Sequence, residues 1–421
     1  METTGTRAGT GTPAVRRLAD WDATRLRALA DEHGTPLYVQ DLERVRENYA
    51  RMVDAFPDTD VMYAAKANTS RAVLRALVDE GAGIECASAG EVERALAAGC
   101  PPSRTQYTAV NPPDGDLDYA VETANDRPEL TVTAGARDTI DRLAERGFDG
   151  RFCLRVNPGI GAGHHEKVST GADAKFGVPY DRAADVLADA AERFDVVGIH
   201  AHAGSGISGE DLSSHRELVS RMGELARAVE VALEFVDVGG GFGVPYRPDE
   251  KPLDLASVAR ATREALGDVG ARLVVEPGRY LVADAGVLLT RVNTVKSAGE
   301  ERLVGIDAGM THLARPAMYG AHHETRSLAP DASEREPVRA TVAGPICESG
   351  DTFGDHDLPA PERDDLLAIG NAGAYGYEMA SQYNSRPRPA TVVVEGERSE
   401  LDRRRETIED VTRLEREVSW L

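Results

Sequence analysis

From residue 61 onward, short β-rich runs alternate with segments whose apolar residues recur at three- and four-residue spacing. The runs are VMYAAKA (61–67), GIECAS (83–88), TQYTAV (105–110), ELTVTA (129–134), RFCLRVNP (151–158), DVVGIHAHAG (195–204), EFVDVGGG (234–241) and RLVVEPGR (272–279). Between them, SRAVLRALVDEG, AGEVERALAAG, ARDTIDRLAERG and SSHRELVSRMGELARAV read as amphipathic helices, several followed by a C-capping glycine. Eight strands in roughly 220 residues, each but the last followed by a helix, have the rhythm of a (β/α)8 TIM barrel. A doubly wound open sheet is the alternative. A barrel predicts that unusual polar residues gather at the C-terminal ends of its strands. Lys66, Glu85, Asn157, His200, His202, Gly239 to Gly241, Glu276 and Arg279 all fall there.

After about residue 285 the pattern changes. GVLLTRVNTVKS, ERLVGIDAG, VRATVAGPI, DLLAIGNAG and PATVVVEGE read as strands between loops rich in Gly, Pro and Asp, which predicts a β domain. The expected organisation is an N-terminal tail and helix (1–34), the barrel (35–284), the β domain (285–395) and a charged tail (396–421). The strand near 35–41 is a candidate member of the β domain.

Composition narrows the function. Forty-one per cent hydrophobic and 28% charged residues describe a globular chain. No apolar run approaches membrane-spanning length, and the first 17 residues lack the apolar core of a secretory signal. A net charge of −23 repels phosphate backbones, so no nucleic-acid partner is expected. Only five of the 48 basic residues are lysine, a balance suited to a salty, halophilic cytoplasm. The four cysteines show no disulfide or zinc spacing, as expected of reduced thiols in a cytoplasmic protein.

Several residues could carry chemistry. Lys66, in the apolar run YAAKAN, is either a desolvated nucleophile suited to a Schiff base or an ion-paired lysine near a strand end. GGGFG (239–243) lets backbone N–H groups approach an anion, or is a tight rim turn; as a dinucleotide fingerprint it fails, because Val244 and Pro245 follow. In EPGR (276–279), Glu276 could hold the nitrogen of a pyridine ring, or pair with Arg279. HAHAGS (200–205) could supply metal ligands, or one imidazole to stack on a planar cofactor with Ser205 near a phosphate. A metal would want further ligands; His164 and His165 lie in a long loop, so no metal is expected. CESGD (347–351), taken alone, reads as a surface loop.

Together these motifs resemble the fold-type III pyridoxal-phosphate decarboxylases with an alanine racemase-like barrel, and among them the diaminopimelate decarboxylases. The resemblance runs from about residue 35 to about residue 392. It is carried by YAAKAN, CASAGE, RVNPGI with STGADAKFG, GIHAHAGS, DVGGGFGVPY, EPGR, DAGMTHLARPAMYGAHH, GPICESGD and GAYGYEMASQYNSRPRPA. It implies that Lys66 holds pyridoxal 5'-phosphate, His202 stacks on the ring and Glu276 pairs with the ring nitrogen. Ser205, Gly240, Gly241, Gly278 and Arg279 surround the phosphate, with Tyr375 closing over it. Arg279, Arg315, Tyr319 and Tyr375 contact substrate, and Glu348 takes the distal amino group. Cys347 is the implied proton donor. In this family Cys347 and Glu348 come from the other subunit of a homodimer. The implied reaction converts meso-2,6-diaminopimelate to L-lysine and CO2, the last step of lysine biosynthesis. Relatives acting on other basic amino acids or carboxynorspermidine are the alternative; Arg315 and the length of Glu348 favour diaminopimelate. A racemase or a catalytically silent homologue would have less use for Cys347 or for Lys66 with Glu276.

Overall fold

The computed structural model describes residues 13–160, 175–202, 204, 207, 211–298 and 301–420. The N-terminal twelve residues, His164, His165 and Ser205 lie outside the described residues. Strands in chain order are β1 (Leu37–Asp41), β2 (Thr59–Ala64), β3 (Gly83–Cys86), β4 (Thr105–Thr108), β5 (Thr131–Ala134), β6 (Arg151–Asn157), β7 (Val178–Pro179), β8 (Asp195–His200) and β9 (Phe235–Asp237). They continue with β10 (Arg272–Val275), β11 (Gly286–Ala298), β12 (Glu301–Ile306), β13 (Thr325–Ser327), β14 (Pro337–Ala343), β15 (Thr352–Pro359), β16 (Leu366–Ile369), β17 (Ala390–Glu395) and β18 (Arg398–Arg403). The helices are α1 (Ala23–His33), α2 (Leu42–Ala55), α3 (Arg71–Asp79), α4 (Ala89–Ala97), α5 (Asp114–Asp126), α6 (Arg137–Glu145), α7 (Tyr180–Ala191), α8 (Ser213–Ala228), α9 (Leu255–Leu266), α10 (Arg279–Val282), α11 (Arg315–Tyr319) and α12 (Ile408–Thr412).

The chain divides into two compact units. The first, built on residues 45–244 and 251–281, is an all-parallel barrel. Its strands run β2-β3-β4-β5-β6-β8-β9-β10, and β10 pairs back to β2. Strands β3, β4 and β5 are buried along their whole length, as a sheet between packed interior and outer helices requires. The helices start where side chains can cap them. Ser70 accepts from Val73 N, Ser88 from Glu91 N and Asp254 from Ser257 N. Toward its N-terminal end the barrel is plugged by Met62, Cys153, Val197, Phe235 and Val274. Gly198 makes room there, since a Cβ would lie 2.5 Å from the Phe235 ring. The mouth at the other end is thus left to polar side chains.

The second unit comprises residues 13–44, 245–250 and 282–421. Its sheet runs β15-β14-β12-β11-β1-β17-β18, with β16 beside β11 and β13. The strand β1 lies inside this sheet, antiparallel to β11 and parallel to β17. Period-two alternation sends Leu37 and Val39 into one apolar cluster and Tyr38 into another, on the opposite face. The segment from 396 is more than a charged tail, because β18 pairs with β17. RSELDR is mostly exposed, so it carries no apolar alternation for a sequence reading to find. Among the described residues no helix is long and apolar enough to cross a membrane.

Candidate active site

Lys66 lies just beyond β2, on a 3-10 turn formed by Ala65–Ala67, and not within the strand. Buried Ala65 and Ala67 flank it, and Tyr63 Oη donates to Asn68 O at 3.0 Å to pin the turn. The turn lifts the lysine out of the sheet. Its side chain is 41% exposed, and Nζ sits 2.6 Å from Oε2 of buried Glu85 at the end of β3. Lys66 is thus ion-paired and partly exposed here, with its amine directed to Glu85. Burial pushes the Glu85 carboxyl up, against the pull of the Lys66 charge.

Three segments nest at the mouth through three glycines. Gly239, with φ +73°, could carry no Cβ without meeting His202 Nδ1 at 2.6 Å and Ala201 O at 2.7 Å. At Gly240 a Cβ would lie 2.2 Å from Glu276 O, and at Gly241 (φ +100°) 2.6 Å from Gly204 O. The run after β9 is thereby pressed between HAHAG and EPGR. Gly278 does the same for the last strand end, its would-be Cβ lying 3.2 Å from Ala64 and Ala67.

These contacts fix the functional side chains. Gly240 N donates to His202 Nδ1 at 3.1 Å, so that nitrogen is an acceptor and the imidazole is neutral. Burial, with Lys66 and Arg155 nearby, holds the His202 pKa at about 3. His200 Nε2 lies 3.2 Å from Glu276 Oε2, both groups being buried. Burial opposes ionisation of Glu276, but the charge and hydrogen bond of His200, with Lys66 beyond, hold it well below the usual carboxylate range. Asp237, at the end of β9, goes the other way. Burial and then repulsion from Glu276 push its carboxyl far up.

Two of these groups escape the sequence reading. Asp237 hides in EFVDVGGG, where the glycines draw the eye, yet it ends a strand as the barrel rule requires. With His200 and Glu276 it sets three ligand-type atoms within 4.8 Å of one another. The sequence reading finds no further acidic ligand at a strand end; Asp237 is one. His200 and Glu276 bond each other, and Asp237 Oδ1 accepts from Gly239 N at 2.8 Å. Arg155, near the end of β6, is buried, with its guanidinium 5.0 Å from the Phe176 ring centre. Burial lowers its pKa, opposed first by Glu276 and then by Glu85 and Asp237. The signal for it is a basic residue in the middle of an apolar strand, FCLRVN.

The mouth fits a pyridoxal phosphate. Glu276 Oε1 is buried and has no hydrogen-bond partner among the described residues, as an acceptor reserved for a ring N–H would be. Lys66 offers an amine, His202 a neutral ring, and the glycine run a backbone cradle that any Cβ would fill.

The other predicted site residues lie in the second unit. Arg315 opens α11 and is buried, whereas Tyr319 at its end is half-buried. Cys347 and Glu348 are exposed, on a loop held by buried Asp351, whose carboxylate accepts from Met310 N at 2.5 Å and Ile346 N at 2.6 Å. Tyr383 Oη donates to Glu348 at 2.6 Å, and Asn384 Nδ2 lies 3.6 Å from Cys347 Sγ. Tyr375 has φ +55°, a strained backbone for a bulky residue.

Known proteins share this arrangement. The family described as pyridoxal-dependent decarboxylase, pyridoxal binding domain, matches residues 42–283. A diaminopimelate decarboxylase of Methanothermobacter thermautotrophicus is 44% identical over 403 residues, covering 91% of this chain and 92% of that protein. One from Escherichia coli K12 is 37% identical over 420 residues, 94% and 97% of the two chains. The structure of Helicobacter pylori diaminopimelate decarboxylase complexed with L-lysine superposes with a TM-score of 0.86 at 33% identity, covering 92% of this chain and 98% of that one. A parallel barrel with a lysine and three nested glycines at its mouth, matched along nine-tenths of its length, identifies the chain as a member of the diaminopimelate decarboxylase family of pyridoxal-dependent decarboxylases.

Proposed function

We propose that the chain converts meso-2,6-diaminopimelate to L-lysine and CO2 with pyridoxal phosphate as its cofactor. The observation that carries this reading is the convergence of Lys66, neutral His202 and ionised Glu276 on the triple-glycine run. Bound pyridoxal phosphate supplies the electron sink that lets a carboxylate leave as CO2. The chain's own groups orient it and move protons. Lys66 would hold the cofactor and yield it to the substrate amine, with Glu85 compensating the ammonium whenever the lysine is free. His202 would lie against the ring, and Glu276 would keep a proton on the ring nitrogen. Ser205, Gly240, Gly241, Gly278, Arg279 and Tyr375 would take the phosphate.

Arg279, Arg315, Tyr319 and Tyr375 would contact the substrate, with Glu348 on its distal ammonium. Cys347 Sγ would deliver the proton to the carbon that lost CO2. The exposure of Cys347 and Glu348 supports a homodimer in which each subunit lends these two residues to its partner's site. The acidic, lysine-poor composition supports a halophilic cytoplasm as the setting.

The reaction is tested by offering meso-diaminopimelate, L-ornithine, L-arginine and carboxynorspermidine separately in molar KCl with pyridoxal phosphate. Lysine from the first alone is expected; turnover of another substrate would overturn the assignment of Arg315 and Glu348. The shared site is tested by mixing Lys66→Ala and Cys347→Ala chains, each inactive alone. Random reassociation should restore about a quarter of parental activity, whereas a cysteine acting within its own subunit would restore none.

A further inference from the structure

The second unit holds a buried polar chain in which Arg315 has an expected role and His323 has none. Arg315 is 3% exposed and His323 is 0% exposed. Arg315 Nη1 donates to His323 Nε2 at 2.8 Å, and His323 Nδ1 donates to Gly370 O at 2.8 Å. Both partners dictate the imidazole's state. A guanidinium has no acceptor and a carbonyl has no donor, so His323 must be the neutral tautomer with its proton on Nδ1. Gly370 is held in turn, its N–H donating to Glu324 O at 2.9 Å, which ties the anchor back to the residue after His323. The guanidinium carbon of Arg315 lies 4.7 Å from the Tyr246 ring centre, and the same ring meets His323 edge-on at 5.2 Å and 76°.

A guanidinium seated over a ring and held at Nη1 has lost both tilt and rotation, so its plane is set in advance. We propose that His323 is a positioning residue for Arg315, orienting the guanidinium for a planar, two-point grip on the distal carboxylate of the substrate. The ligand class is a carboxylate on an amino acid that carries a second one. The inference rests on the reading of Arg315 given above. Orienting a free arginine on each binding event would cost side-chain entropy that this chain removes beforehand.

Two near-isosteric replacements separate the bonds. His323→Asn keeps a donor toward Gly370 but withdraws the acceptor from Arg315; His323→Gln reaches Arg315 with its carbonyl oxygen. Steady-state kinetics on the full-length, cofactor-loaded enzyme with meso-diaminopimelate should show KM raised about tenfold or more for His323→Asn, the cost of a lost bond to a charged group, with kcat little changed. His323→Gln should return KM to within about threefold of the parent. Equal KM in parent and Asn variant, equal impairment of both variants, or a loss confined to kcat would overturn the proposal. Arg315→Met identifies which reading failed. If it leaves KM unchanged, the assignment of Arg315 to a carboxylate falls, and the role of His323 with it; if it raises KM while His323→Asn does not, only His323 is misassigned. Thermal melts of each variant guard against loss of fold, and should a variant melt early, the comparison of Asn with Gln at matched stability still decides.

Discussion

An alanine at position 240 would set its Cβ 2.2 Å from the carbonyl oxygen of Glu276. Ordinary contact begins near 3.4 Å, so one strand end must retreat by about 1 Å. The obstacle is backbone, not the tip of a flexible side chain, and cannot rotate away. Overpacking of this kind costs about 3 kcal/mol at the upper end of its usual range. The retreat also carries Glu276 off its bond to His200 and loosens the N–H of residue 240 from His202 Nδ1. Displacing positioning groups by about 1 Å costs on the order of a hundredfold in function. The assay is titration of the cofactor-free chain with pyridoxal phosphate, followed by the visible band of the bound cofactor, beside denaturant unfolding. Gly240→Ala should bind the cofactor about 100-fold more weakly and unfold at lower denaturant. Gly115→Ala is the control. Its Cβ, at an exposed position in the first turn of α5, would meet nothing within 4 Å, and it should be neutral or slightly stabilising. A Gly240→Ala chain with parental stability and cofactor affinity would refute the nesting of the three strand ends.

Two further outcomes follow from buried polar groups. His215 is buried between α8 and α9, its Nε2 2.7 Å from Thr262 Oγ1, and burial lowers its pKa to about 4 from an unfolded value near 6.5. The unfolded chain therefore takes up the proton first: stability is full above pH 6.5 and falls toward pH 4, by about 3 kcal/mol from this group. Unfolding curves across that range should be flatter for His215→Gln, though not flat, because His202 and His312 shift the same way; an unchanged slope would refute it. Asp351→Ala strips the acceptor from Met310 N and Ile346 N and should cost about 3 kcal/mol in denaturant unfolding. It should also speed modification of Cys347 by a thiol reagent, since the loop that presents the cysteine loses its anchor. Parental stability would show that water replaces the carboxylate.

The barrel was legible because its rule is periodic: an apolar strand, a helix, a polar residue at each strand end. The same rule found Lys66, Glu85, His200, His202 and Glu276. It placed Lys66 within the strand, because a tight turn continuing an apolar run looks like more strand, and it left the ion pair open because the partner lies on another strand. Asp237 and Arg155 were missed for a related reason. Their importance is electrostatic and arises only when strands distant in sequence place Glu276 beside them. In the second unit, β13, β15 and β18 are short, polar or half-exposed, so the alternation that betrayed β11 and β17 is absent. The tautomer of His323 could not be read at all, since it depends on a carbonyl 47 positions away.

The strand β1 bears on how the chain is made. Leu37 is made about 250 residues ahead of Leu289 and further still ahead of Ala390, its two neighbours in the sheet. Throughout translation of the intervening barrel, three buried-type residues, Leu37, Tyr38 and Val39, wait with backbone donors and acceptors unmet on both sides. The barrel strands, by contrast, find their successive partners almost as they are produced. The nascent protein thus passes through a long interval in which one module can close while the other still lacks its centre. Chaperone demand should peak in that interval, and any transcript cut short before codon 390 yields a sheet that cannot be completed.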